Sequence, residues 1–209
     1  ATQAYSGKEF LASTDEGFRP VNLLDGPDGA MYVVDMHRGI MEHRAFETPY
    51  YRNGIAHKEL DTLLSAGRIL RIKYKNKDLS KIPDLVHATS SGLVALLKSA
   101  NGWVRDRAQQ LLIFREDKSV IPELQALAED GKNAIPAIHA LHTLDGLNGL
   151  SFGLLQKVTA SGGDPMLTAH ALLLLEKYNT KDYVKQMMEI ANNLMSKNDT
   201  VVNLYLAIS

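Results

Sequence analysis

Between Asp35 and Gly67 the chain gathers side chains able to bind anions and move protons: His37, Arg38, Glu42, His43, Arg44, Tyr50, Tyr51, Arg52 and His57. Arg38 and Arg44 are candidate cofactor-binding residues, because a guanidinium offers a planar fork of donors that fits a carboxylate or phosphate. His43 is the candidate catalytic residue, since imidazole changes charge near neutral pH and can take a proton. A structural alternative uses the same residues. In it, Asp35 and Arg38 tie the segment down by an ion pair, the tyrosines pack on neighbouring strands, and the histidines are solvated.

Other chemistries find less support. His37, Glu42 and His43 could supply two or three metal ligands, but "HKELD" does not match the His-Glu-x-x-His pattern that puts two imidazoles on one helical face, and no metal ligand is assigned. "DGPDG" lacks the twelve-residue ligand ladder of a calcium loop and is explained by a turn. Neither Gly-x-Ser-x-Gly nor a glycine-rich phosphate loop occurs. With no cysteine, thiolate zinc sites, a catalytic thiol and a c-type haem attachment are absent from these 209 residues. A formal charge of −1, with no basic run, gives no electrostatic case for nucleic acid. No apolar run reaches the roughly 18 residues of a membrane span, and "ATQAYSGKEF" lacks the features of a signal peptide.

The elements that must position these residues change character along the chain. "VNLL" and "AMYVVDM" flank "DGPDG", where Pro27 presets φ for a turn and Asp28-Gly29 tolerates its far side, so a hairpin is expected. In "GRILRIKY", Leu70, Ile72 and Tyr74 alternate with Ile69, Arg71 and Lys73, the period of a half-buried strand. "GKEFLAS" is a further candidate strand. So few strands cannot bury a core alone; either the helical half covers them, or they are one blade of a larger β structure whose other blades precede Ala1.

From about Ser90 the pattern becomes helical and repeats. Ala108, Ala140 and Ala171 fall in register at separations of 32 and 31 residues, Leu124, Leu155 and Met187 at 31 and 32, and Leu127, Val158 and Ile190 at 31 and 32. Columns sharing one period indicate stacked helical hairpins, with the small alanine where helices approach closely. Asn101 and Asp164 are expected N-caps, Pro122 and Pro165 first-turn residues, and "EDGKN" and "SGGD" glycine turns. His139, His142 and His170 are expected as satisfied histidines on or near packed helical faces, and Trp103 with Arg105 and Arg107 as packing plus a solvated face.

The ordered set Phe18 to Asn22, Gly26 to Gly29, Tyr32 to Asp35 and Gly67 to Ile72 resembles the last blade of bacterial sorbosone or glucose dehydrogenase-like β-propellers, the membrane-bound dehydrogenase type. The resemblance covers residues 8 to 75 in motif detail and the rest in architecture. It implies a terminal β-propeller blade with a long loop insertion over residues 1–76, a linker over 77–89, and an α-helical HEAT-like solenoid over 90–209. It further implies a C-terminal segment of a periplasmic or secreted quinone-dependent sugar or alcohol dehydrogenase, itself non-catalytic. Pyrroloquinoline quinone (PQQ) and calcium would belong to blades preceding Ala1, and c-type haem to a downstream domain. The expected partners are those blades, other subunits or a cytochrome, with no nucleic acid. A non-enzymatic HEAT-repeat interaction scaffold is the alternative.

Overall fold

The computed structural model describes residues 5–208 apart from Lys132 and Gly162; the side chain of Arg44 is also outside the description. The chain divides into two compact units, Ala1–Lys81 and Ile82–Ser209, and the division falls inside the polar stretch 77–89.

The first unit is built on a three-stranded antiparallel sheet of β1 (Pro20–Asp25), β2 (Met31–Asp35) and β3 (Arg68–Ile72), in the order β1-β2-β3. The β1–β2 turn follows from its sequence. Gly29 N–H donates to Gly26 O at 3.1 Å across Pro27-Asp28, and Gly29 takes φ +78°, which glycine adopts without steric cost. Gly26 N–H then donates to Ala30 O and closes the hairpin. Register places Leu23, Val33 and Leu70 side by side on one face, and Asn22, Val34 and Ile69, then Leu24, Tyr32 and Arg71, on the other. In β3, Ile69 and Arg71 are exposed while Leu70 and Ile72 are half-buried, the expected alternation. The first face buries Val33 and Asp35. The second leaves Leu24 55% and Ile69 69% exposed.

Between β2 and β3 the chain makes a 3-10 turn (Arg44–Phe46), the helix α1 (Pro49–His57) and a second 3-10 turn (Leu60–Thr62). Thr48 caps α1 by accepting from Tyr51 N–H, and Pro49 occupies the first turn, where its missing N–H costs nothing. "GKEFLAS", expected as a strand, forms turns and bends instead. Its Phe10 is 66% exposed, so no packed neighbour holds it extended.

The second unit is helical: α2 (Ser90–Leu96), α3 (Gly102–Arg115), α4 (Ile121–Glu129), α5 (Ala134–Gly146), α6 (Phe152–Ala160), α7 (Pro165–Leu175), α8 (Val184–Ser196) and α9 (Thr200–Ile208). Consecutive helices pair as hairpins; α3, α5, α7 and α9 form one layer, and α2, α4, α6 and α8 the other. The alanine column is fully buried at Ala108, Ala140 and Ala171, where adjacent helices of the first layer meet. Leu124 and Leu155 are fully buried in the second layer, and Leu93 of α2 extends that column to an earlier hairpin. Asn101, Asn133 and Asp164 cap α3, α5 and α7 by accepting from the N–H two residues on. Pro122 and Pro165 lie in the first turns of their helices. In the last turn of α3, Arg115 reaches back to the carbonyls of Leu85, Val86 and Ala88, anchoring the entry to α2. Among the described residues no helix is long and apolar enough to cross a membrane.

Candidate functional site

Asp35 ends β2 with its carboxylate out of solvent. Its Oδ1 accepts from the backbone N–H of Arg19 at 2.7 Å and of His37 at 2.9 Å, and its Oδ2 accepts from Arg68 Nε at 2.8 Å. Burial works to raise its pKa, but the two N–H donors and the guanidinium together favour the anion and hold it below the usual carboxylate range. The expected partner of Asp35 was Arg38; the observed one is Arg68, its cross-strand neighbour in the β2–β3 register.

Arg68 joins two carboxylates, its NH2 group also reaching Asp15 Oδ2 at 2.8 Å. That hydrogen bond first, and the Gly17 N–H second, lower the Asp15 pKa. His37 Nε2–H donates to the same Asp15 oxygen at 3.0 Å, and the His37 backbone turns left-handed at φ +43°. Asp15, Asp35, His37 and Arg68 are thus one knot at the mouth of the 36–67 excursion. Asp28, in the hairpin turn, makes a smaller one, accepting from Ala30 N–H and from Tyr32 O–H, with Arg71 at 3.4 Å.

Farther out the excursion is held by local contacts. Arg38 is exposed and donates through Nε to Ile40 O at 3.0 Å. His43 is exposed; its Nδ1 accepts from Ala45 N–H at 3.2 Å, and its ring meets Phe46 edge-on. No described hydrogen bond or ion pair links Arg38 with His43. Arg44 begins a 3-10 turn, its side chain outside the described residues. Tyr51 O–H donates to Glu42, Arg52 lies 3.8 Å from Glu47, and Lys58 pairs with Glu16 at 2.7 Å. Burial, and then the Glu42 carboxylate, push the Tyr51 phenol above its usual pKa. Tyr50 is 90% exposed rather than packed on the sheet. The knot partners Asp15 and Arg68 were not singled out from sequence.

Residues 1–76 match a family model described as a domain of unknown function, DUF7133. The match spans the sheet and the whole excursion. No curated protein matches the chain, and no solved structure does.

In the helical unit, His139 Nδ1–H donates to Gln109 Oε1 at 2.6 Å while its Nε2 accepts from Arg105 Nε at 3.3 Å, which fixes a neutral tautomer. His142 Nε2 and His170 Nδ1 share a hydrogen bond at 2.9 Å across α5 and α7. All three histidines are half-buried and paired. Burial lowers each pKa, with Arg105 adding to the effect at His139 and His170 at His142. Arg107 lies over the Trp103 ring at 5.8 Å. Among the described residues no group of three or more His, Asp or Glu is arranged to hold a metal ion.

Proposed function

We propose that this chain is the blade-and-platform segment of a quinone-dependent sugar or alcohol dehydrogenase-like propeller protein, and that it is catalytically silent by itself. In this reading the sheet is a terminal β-propeller blade completed by further blades, and the stacked hairpins are a HEAT-like solenoid that docks an electron acceptor such as a cytochrome. A periplasmic or cell-envelope location goes with it. The observation that carries the reading is the unfinished sheet. Its second face presents Leu24 and Ile69, every residue of β1 is exposed, and the buried apolar residues of the first unit are Ala30, Val33 and Ile55 among those described. Three strands with so little interior need cover from further structure, which in this reading is another blade. The ordered motifs shared with dehydrogenase-like propellers name the kind of cover.

PQQ is an anionic quinone that accepts hydride from a sugar or alcohol carbon, and its carboxylates call for convergent donors. Arg38 offers one exposed guanidinium and His43 one imidazole, on separate turns, and no described hydrogen bond or ion pair joins them. In this reading Arg38 and His43 contribute one wall of a cavity completed by other blades. Incubating the purified chain with PQQ and calcium and following dye-linked sugar oxidation tests this: no turnover above the protein-free control is expected, and robust turnover would overturn the silent-segment reading.

A second reading, a non-enzymatic interaction scaffold, is favoured by a different observation. Trp103, Ile135 and Met166 occupy the same position in the first turns of α3, α5 and α7, at separations of 32 and 31 residues, and Ile135 and Met166 are exposed. Repeat proteins use such in-register rows to hold partners. The surrounding reading frame separates the two: further Gly-Pro-Asp-Gly blades and a Cys-x-x-Cys-His favour the dehydrogenase, and their absence the scaffold.

A further inference from the structure

Where α7, α8 and α9 meet, packing leaves a pocket of about 270 Å³. Leu172 and Leu175 come from α7, Met187 and Met188 from α8, and Leu206 from α9. The turn after α7 adds Glu176 and Asn179 at the rim. Thioether side chains adapt their shape to what they contact, so this wall suits a flexible apolar body better than a rigid ring. The space accommodates on the order of nine groups of water or methylene size, at about 30 Å³ each.

Glu176 gives the pocket its sign. It is the one charged residue among the described lining residues, it is exposed, and its carboxylate makes no hydrogen bond or ion pair with the described residues. The nearby Lys177 is committed to Asp145. An apolar body in the pocket would place its polar end beside an uncompensated anion, which repels carboxylates and attracts ammonium groups.

From this geometry we infer that the pocket between α7, α8 and α9 binds a cationic amphiphile, an alkyl chain of roughly eight to ten carbons with an ammonium head held by Glu176. The inference is independent of the dehydrogenase reading, because every residue it uses belongs to the helical unit.

Calorimetric titration of the full chain with decylammonium, decanol and decanoate, each below its micellar concentration, tests it. Decylammonium is expected to bind saturably at one site, and decanoate at least about 10-fold more weakly, the factor corresponding to roughly 1.4 kcal/mol. Glu176→Gln should remove most of that preference, and Met187→Trp should abolish binding by filling the space. Should Met187→Trp fail to fold, the Met187 and Met188 methyl resonances of the unmodified chain report occupancy directly and should shift together on titration. Non-saturable uptake, equal affinity for decanoate, a preference unchanged in Glu176→Gln, or methyl resonances that stay in place would each overturn the inference.

Discussion

Arg68 Nε donates to the buried Oδ2 of Asp35 at 2.8 Å, and these two residues are direct cross-strand partners on β3 and β2. The same guanidinium holds Asp15, so one residue at the far end of a long excursion closes it onto both its start and the segment before β1. Asp35→Ala leaves the N–H groups of Arg19 and His37 without their acceptor, at a cost of about 3 kcal/mol. Amide exchange at Arg19 and His37 should accelerate strongly in this variant. Arg68→Lys should do less but still loosen the knot, because an ammonium cannot present two parallel donors to two carboxylates. Unchanged exchange at both amides in Asp35→Ala would show that the knot does not organise the excursion.

The helical unit should lose stability on mild acidification. His139, His142 and His170 have pKa values lowered in the folded chain, so the unfolded chain takes up protons more readily. Their contribution is fully present above the ordinary value of about 6.5 and is lost as pH falls from there through the lowered folded values. Asp15, Asp28 and Asp35 act in a separate window: their pKa values are depressed, so their contribution persists until pH falls below about 4. Melting temperature should therefore fall between pH 7.5 and 5.5, and His139→Gln should flatten part of that slope. A melting temperature constant across this range would contradict the assignment.

Gly39 is required by close approach. A Cβ there would lie 2.2 Å from the carbonyl oxygen of Leu60, a backbone atom that cannot swing away. Gly39→Ala should cost about 1–3 kcal/mol, the usual range for overpacking, whereas Gly54→Ala meets open space within α1 and should be neutral or stabilising. Denaturant melts of the two variants side by side make the comparison. Equal effects would mean that the excursion does not pack as described.

The parts of the fold legible in the sequence were those governed by local chemistry or by repetition. Pro27, Asp28 and Gly29 specify their turn within four residues, and Asn101 and Asp164 cap helices two residues away. The alanine and leucine columns were readable because a stack of similar hairpins imposes one spacing on buried positions. Long-range polar partners were not legible: Asp15 and Arg68 are 53 residues apart, and nothing in their local patterns selects Arg68 over Arg38 as the guanidinium for Asp35. Helix α1 was missed although Thr48-Pro49 carries a start signal, because the ionisable residues around it read as a loop. "GKEFLAS" misled for the opposite reason: its apolar residues suit a strand, yet a strand needs a pairing edge, which these residues do not have. For the candidate site, the sequence located the charged excursion but not the knot that anchors it.

We propose that the second face of the β1-β2-β3 sheet, where Leu24 and Ile69 are exposed, is covered by further β structure. Sedimentation velocity of the full chain over a wide concentration range, compared with the double variant Leu24→Lys and Ile69→Lys, tests it most directly. Concentration-dependent association of the unmodified chain is expected, relieved in the double variant with unchanged secondary structure and thermal stability. A chain that stays monomeric at every concentration, together with a double variant that is strongly destabilised, would contradict it.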